Sequence, residues 1–327
     1  MMKKTNIALL VGGNSSEREL SLSSAQSTAA LFDASKYNIY IVDINGSSWT
    51  YKDSNNTEYQ IDKNDFTLKT SDSVVSFDYA MILIYGTPGE DGRLQGYLDM
   101  MGVQYLSCDF VSSVLTFDKT ACKRAVQDAG IALAKEIFVR RGETVDPKAV
   151  AEQLGLPLFI KPNASGSSFG VSKVKSVEEI LPAIEVALKE SDSVLMEEFI
   201  EGTEVGCGMV ITSSETTLFP LAEIVSEREF FDYQAKYEGL SQEIIPARVS
   251  DQIRDKVYES AIQIYKRLGC RGIVRVDFII KNKVPYMIEI NTIPGMTAES
   301  LIPQQARKAG VELVTVYEQV IKDICLK

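Results

Sequence analysis

Over its first hundred residues the chain alternates two apolar patterns. Short runs of strand character at 6–11, 39–43 and 79–84 are separated by stretches of helical period at 17–31 and 92–101. That order leaves few topologies open, because parallel neighbours need a crossover, and a helix laid on the sheet buries both apolar surfaces. The alternation predicts an α/β fold whose N-terminal part is a doubly wound parallel sheet. Between the second and third strands, runs at 49–51 and 59–61 flank Asp53-Ser54-Asn55-Asn56, a turn-rich tetrapeptide that predicts a small surface hairpin.

The pattern changes near Asp118. A helix over 119–129 leads to a strand at 158–161, a glycine- and serine-rich loop at 163–170, a helix over 177–189 and a strand at 194–199. Strand-type runs follow at 204–211 and 217–221, then a polar segment at 225–247, a helix at 251–268, a hairpin over 275–291 and two short helices. A chain of 327 residues is longer than one hydrophobic core usually serves. We expect three units: an N-terminal α/β domain at 1–117, a small central domain at 118–207, and a C-terminal domain at 208–327 with the metal and substrate site. Clefts between such units are common places for ligands.

Composition works mainly by exclusion. A net charge of −11 and the lack of a basic stripe argue against a nucleic-acid partner. The opening MMKKTNIALLVGG has two lysines, but the apolar run at 7–11 is too short for a signal sequence and no A-x-A-like site follows. It reads as the first strand of a cytoplasmic protein. No run of about 18 apolar residues offers a membrane span. The five cysteines, Cys108, Cys122, Cys207, Cys270 and Cys325, never fall in a C-x-x-C pair and read as reduced core thiols. Histidine is absent, which removes Ser-His and Cys-His nucleophiles and every histidine-held metal. Chemistry is left to carboxylates, amides, hydroxyls, lysine and arginine.

The hairpin combines RVDFII at 275–280, a turn at 281–283 and VPYMIEIN at 284–291. Strand side chains alternate faces, so Arg275 and Asp277 share one face, as do Glu289 and Asn291 on the partner. A turn centred on 282 or 283 brings Glu289 opposite Arg275 or Asp277. Two carboxylates facing each other across a ladder destabilise it unless a cation lies between them. Asp277, Glu289 and Asn291 with arginine alongside suit Mg²⁺ bound with water and phosphate oxygens, and a salt-bridged surface hairpin is the bland alternative. The following TIPGMTAESL at 292–301 favours the metal: amides around Gly295 and a helix start near Ser300 would hold anionic oxygen beside it.

Three more stretches carry polar groups at strand ends. FIKPNASGSSFGVSKV at 159–174 has Lys161 at a strand end and a loop of small residues able to fold its amides over phosphate, without being a Walker or Rossmann pattern. In VLMEEFIEGTEVG at 194–206 an apolar strand breaks into carboxylates, which suits an adenine edge and a ribose, or simply a charged edge strand. GGNSSERELS at 12–21 and YGTPGEDGRLQG at 85–96 sit just past strands, where ligands bind open α/β sheets. There Glu17 would meet a substrate ammonium, or merely complement a helix dipole.

Together and in this order, GGNSSERELS, GTPGEDGRLQG, KPNASGSSFGVSKV, MEEFIEGTEV, FFDYQAKY, RVDF and EINTIPGMTAESLIP resemble the D-alanine-D-alanine ligases of the ATP-grasp superfamily, nearly end to end. The resemblance implies three α/β domains with ATP between the central and C-terminal ones, two Mg²⁺ or Mn²⁺ ions, and a homodimer. The implied reaction phosphorylates one D-alanine to an acylphosphate, which the amine of a second attacks, giving dipeptide, ADP and phosphate for peptidoglycan precursors. It makes Lys119, Lys161 and Lys236 phosphate contacts, and Glu197, Phe199, Ile200, Glu204 and Phe231 the nucleotide pocket. Asp277, Glu289 and Asn291 are similar to the magnesium ligands. Glu17, in a triad with Ser167 and Tyr237, would bind the first ammonium. Arg275 and the Gly295 amide would stabilise the oxyanion, and Tyr85, Ser300 and Leu301 would complete the substrate subsites.

Two positions depart from the pattern. Tyr85 stands where many members have histidine, and Phe231 where many have tyrosine. A D-alanine-D-lactate ligase or another ATP-grasp carboxylate-amine ligase is the neighbouring reading, with Tyr237 favouring the dipeptide former. A nucleotide-binding regulator without turnover is the reading from another class, and it leaves the oxyanion residues unexplained.

Overall fold

The computed structural model describes residues 4–166, 169–226 and 241–325. Its first sheet contains β1 (Thr5–Gly12), β2 (Tyr37–Asn45), β3 (Ser48–Lys52), β4 (Glu58–Asp62), β5 (Thr67–Lys69), β6 (Val74–Ser76), β7 (Tyr79–Ile82) and β8 (Gln104–Tyr105), in the order β6-β5-β4-β3-β2-β1-β7-β8. β2, β1, β7 and β8 run parallel, as the alternation predicts. Both faces of β1 are covered. Ile7, Leu9 and Val11 join a core with Ala25 of α1 (Arg18–Ala29) and with Val316 and Val320 of the C-terminal helix Leu313–Cys325. Ala8 and Leu10 join Leu94 and Leu98 of α2 (Arg93–Met101). Burial on two faces is why β1 reads as a continuous apolar run.

The insertion is larger than the expected hairpin. β3 and β4 pair, with Thr50 opposite Gln60, but β5 and β6 continue the antiparallel ladder and widen the sheet. Phe66, Leu68 and Phe77 supply the reason: each is buried, and the Phe66 and Phe77 rings lie 5.2 Å apart. Apolar side chains of that size need a sheet face to bury them.

The second sheet is antiparallel, with β10 (Glu136–Arg140), β11 (Leu158–Pro162), β12 (Ser172–Val174) and β13 (Ser193–Glu198) in the order β10-β13-β11-β12. Helices Pro147–Leu154 and Ile180–Ala187 cover it through Val150, Leu154, Ile180 and Ile184. The third sheet holds β9 (Ala132–Leu133), β14 (Thr203–Ile211), β15 (Thr216–Leu218), β16 (Ala222–Ser226), β17 (Ser241–Ile244), β18 (Val274–Lys281) and β19 (Val284–Asn291). Its order is β17-β16-β14-β18-β19-β9, with β15 on β14. Helix Asp251–Arg267 packs Val257, Ala261 and Ile264 against Val274, Val276 and Phe278. The boundary expected between 207 and 208 falls inside β14, whose Val205, Cys207 and Met209 share one core.

Two helices join the sheets. α3 (Phe110–Phe117), which the sequence reading left out, is capped by Asp109, and α4 (Lys119–Val126) by Asp118 accepting from the Ala121 N–H at 2.8 Å. Four of the five cysteines are buried as core thiols, whereas Cys325 is exposed. No described helix is long and apolar enough to cross a membrane.

Candidate active site

The hairpin turn fixes the first part of the site. Asn282 (φ 51°) and Lys283 (φ 65°) are both left-handed, the signature of a two-residue type I′ turn. The ladder then pairs Phe278 with Met287 but Asp277 with Glu289, so Ile288 is an extra residue in a β-bulge. Without it Glu289 would oppose Val276, which is fully buried in the core. The bulge moves the Glu289 carboxylate to the face of Asp277, and Asn291 lies opposite Arg275 on that face. Arg275 donates from Nε and Nη2 to the two Asp277 oxygens at 2.7 and 2.8 Å, and Asn291 Nδ2 donates to Asp277 at 3.0 Å.

A second pair of opposed carboxylates lies across the cleft, where Glu136 of β10 faces Glu197 of β13. Here the protein supplies its own cation. Lys123, buried on α4, places Nζ 3.5 Å from Glu136 and also pairs with Glu197, and Lys161 of β11 pairs with Glu197 from the other side. Burial pushes the Lys161 ammonium well below the usual lysine range, and the charges of Lys123 and Lys119 push it the same way. Burial also lowers Lys123, against the pull of Glu136.

The sequence reading missed Lys123 and Glu136. The signal was there for Lys123, which follows Lys119 by four residues and so shares its helix face.

Lys119 connects the two halves. Its Nζ donates to the Ser165 carbonyl at 2.8 Å and lies 3.5 Å from Glu289 Oε2. Asn163 holds α4 against the end of β11, accepting from the Thr120 N–H at 3.0 Å. Between the second and third sheets lies a cavity of about 500 Å³, within the range of small-molecule sites. Lys119, Lys161, Glu197, Phe199 and Ile200 line one side, with Glu204 of β14, Arg275, Asp277, Glu289 and Leu301 on the side of the third sheet. Ile279 and the bulged Ile288 add an apolar floor suited to a planar base. Asn291 lines a small adjoining hollow with Lys119, Glu289 and Glu90.

Four expected residues lie outside both spaces. Glu17, just before α1, stands beside Gly166: a Cβ added there would come within 2.5 Å of Glu17 Oε2. Glycine is therefore required at 166 while that carboxylate keeps its place. Ser300 abuts Gly295 and takes the Thr297 N–H at 3.1 Å. Tyr85 is buried, its hydroxyl accepting from the Met296 N–H at 3.2 Å. Ser167, Phe231, Lys236 and Tyr237 lie outside the described residues. Glu90, not singled out from sequence, accepts from the Gly86 N–H at 2.7 Å, and burial followed by the charge of Glu17 pushes its carboxyl up to about 8.

The donors fit a hard divalent cation. Asn291 uses Nδ2 on Asp277, which leaves Oδ1 to join the carboxylates of Asp277 and Glu289 as oxygen donors. Among the described residues no three His, Cys, Asp or Glu side chains gather as a metal site, so two carboxylates and an amide make up the set. A polyphosphate would supply the remaining oxygens.

Known proteins similar to the chain give it a family. A family model described as D-ala D-ala ligase N-terminus matches residues 6–108, and one described as D-ala D-ala ligase C-terminus matches 125–322. The D-alanine--D-alanine ligase of Phocaeicola vulgatus is 46% identical over 323 residues, covering 98% of this chain and 99% of its own. The crystal structure of the VanG D-Ala:D-Ser ligase of Enterococcus faecalis superposes with a TM-score of 0.86 at 32% identity, covering 98% of this chain and 100% of that one. A Bacillus anthracis D-alanine--D-alanine ligase complexed with ATP gives 0.77 at 28% identity, covering 98% and 97%. The fold is the ATP-grasp architecture, and the chain belongs to the D-alanine-D-alanine ligase family.

Proposed function

We propose that the chain joins two D-alanines into D-alanyl-D-alanine, using ATP and passing through an acylphosphate, to supply peptidoglycan precursors. The observation that carries this reading is the bulged hairpin, which sets Asp277 opposite Glu289, with Arg275 opposite Asn291, on the wall of a cavity whose other wall carries Lys119 and Lys161. Curated relatives at 44–46% identity over nearly the whole chain are D-alanine--D-alanine ligases, and this favours dipeptide formation over a depsipeptide.

In this reading the adenine lies on Ile279 and Ile288 beside Phe199 and Ile200, with Glu204 toward the ribose. Lys119 and Lys161 neutralise phosphate oxygens. Asp277, Glu289 and Asn291 would hold Mg²⁺, two ions by family expectation, which would supply charge neutralisation at the phosphoryl group. Glu17 receives the ammonium of the first D-alanine. Arg275 and the Gly295 amide face the oxyanion formed when the second amine attacks, and Ser300 and Leu301 hold the second carboxylate. Most of the rate then comes from positioning and charge neutralisation. The three-unit division, a homodimer and cytoplasmic work belong to the same proposal.

Product analysis tests it. With D-alanine and MgATP the protein gives dipeptide, ADP and phosphate in equal amounts, and equimolar D-lactate or D-serine leaves D-alanyl-D-alanine the main product. A predominant ester or D-alanyl-D-serine product would refute it.

A further inference from the structure

The buried face of α1 consists of Ser21, Ser24, Ala25 and Thr28. A face so poor in apolar bulk is oriented by directed hydrogen bonds more than by packing. Ser21 Oγ donates to the Leu83 carbonyl at 2.6 Å and accepts from the Gly12 N–H at 2.8 Å, which fixes the helix to the ends of two strands. Ser24 continues the row one turn on. Its Oγ donates to the Leu20 carbonyl at 3.0 Å and lies 3.1 Å from the Tyr85 hydroxyl.

Either hydroxyl can donate in the Ser24–Tyr85 contact, and the phenolic oxygen accepts from the Met296 N–H at 3.2 Å. Hydrogen bonds thus link the Met296 amide, Tyr85, Ser24 and the Leu20 carbonyl. At its other end, the Tyr85 carbonyl accepts from Ser15 Oγ at 2.6 Å, and the Glu17 N–H donates to that same Oγ at 3.2 Å.

We infer that Tyr85 is a positioning residue that fixes the Glu17 segment relative to the Gly295–Ser300 loop, with Ser24 orienting its hydroxyl. One residue reaches Ser15, two before Glu17, through its backbone, and Met296, next to Gly295, through its side chain. A change in either bond moves the first ammonium site relative to the oxyanion site. The inference deepens the ligase reading and rests on it for its catalytic consequence, while the brace itself stands on geometry alone. It assigns the phenol a part that touches no reacting atom.

The test has two arms, on the full-length protein. Amide hydrogen exchange at Met296 is compared in wild type, Tyr85→Phe and Ser24→Ala, with the β1 amides as a fold control. Steady-state rates are measured with D-alanine and ATP varied separately. Tyr85→Phe speeds Met296 exchange at least about tenfold and lowers kcat/KM for D-alanine about tenfold, with KM for ATP unchanged. Ser24→Ala gives the same changes more weakly, and the double variant is no worse than Tyr85→Phe because Ser24 acts only through the phenol. Unchanged Met296 exchange, an equal rise in KM for ATP, or fully additive effects would overturn the inference. If Tyr85→Phe does not fold, Ser24→Ala decides by the same readings. Absence of dipeptide synthesis in the wild type would refute the ligase reading and leave the exchange arm to judge the brace.

Discussion

Asp277 and Glu289 face each other across the ladder. Arg275 grips both oxygens of Asp277, and Lys119, which also donates to the Ser165 carbonyl, lies 3.5 Å from Glu289. A divalent cation between the two carboxylates would relieve their repulsion. Glu289→Gln should cut turnover at least about a hundredfold and leave the melting temperature equal or higher, because a like-charged pair has been relieved; near wild-type activity would reduce the cluster to a surface salt bridge. Glu90 makes the opposite kind of prediction. Its folded pKa, about 8, lies above the ordinary carboxylate value, so the stability it contributes is full below about pH 4.5 and is lost as pH rises toward 8. Glu90→Gln should therefore gain in melting temperature relative to wild type between pH 5 and pH 8; parallel curves would contradict the raised pKa. Sequence could name Glu289, which stands in a patterned hairpin. It could not single out Glu90, whose shift arises from burial and then from the charge of Glu17, both produced only by the fold.

The hairpin shows how far local pattern reaches. The turn was legible from Asn282 and its flanking strands, but the facing partner of Glu289 was left between Arg275 and Asp277. A bulge decides it, and the bulge is set by which residues must be buried: Pro285 and Met287 on one side of Ile288, Ile290 on the other. Lys283 holds a left-handed conformation that costs a non-glycine residue about 1 kcal/mol. Lys283→Gly, giving the preferred Asn-Gly turn, should stabilise the protein by about 0.5–1 kcal/mol in denaturant unfolding without altering KM for ATP; destabilisation would mean that the turn is not type I′. The insertion after β2 was under-read for a related reason. Its turn signals were visible, but the two short strands β5 and β6 carry too few residues for a period, and only the buried Phe66, Leu68 and Phe77 show that they extend the sheet.

Across the whole molecule, the parallel sheet and the hairpin follow from sequence, while the way the sheets share cores does not. The C-terminal helix packs on the first sheet and β9 pairs with β19, so segments far apart in the chain close one structure. The cavity lies where the second and third sheets meet. A ligand filling it contacts both and must stabilise the folded state by mass action: a non-hydrolysable ATP analogue with Mg²⁺ at a hundred times its Kd should add about 2.7 kcal/mol, and a smaller effect in Lys161→Met would confirm the phosphate contact. The central claim is that this cleft couples a metal nucleotide to D-alanine, and coupled measurement of ADP release addresses it most directly. ADP should appear at a rate that saturates with D-alanine, and should fall to background with L-alanine or without Mg²⁺. ADP release that ignores D-alanine, or proceeds equally with L-alanine, would contradict the account.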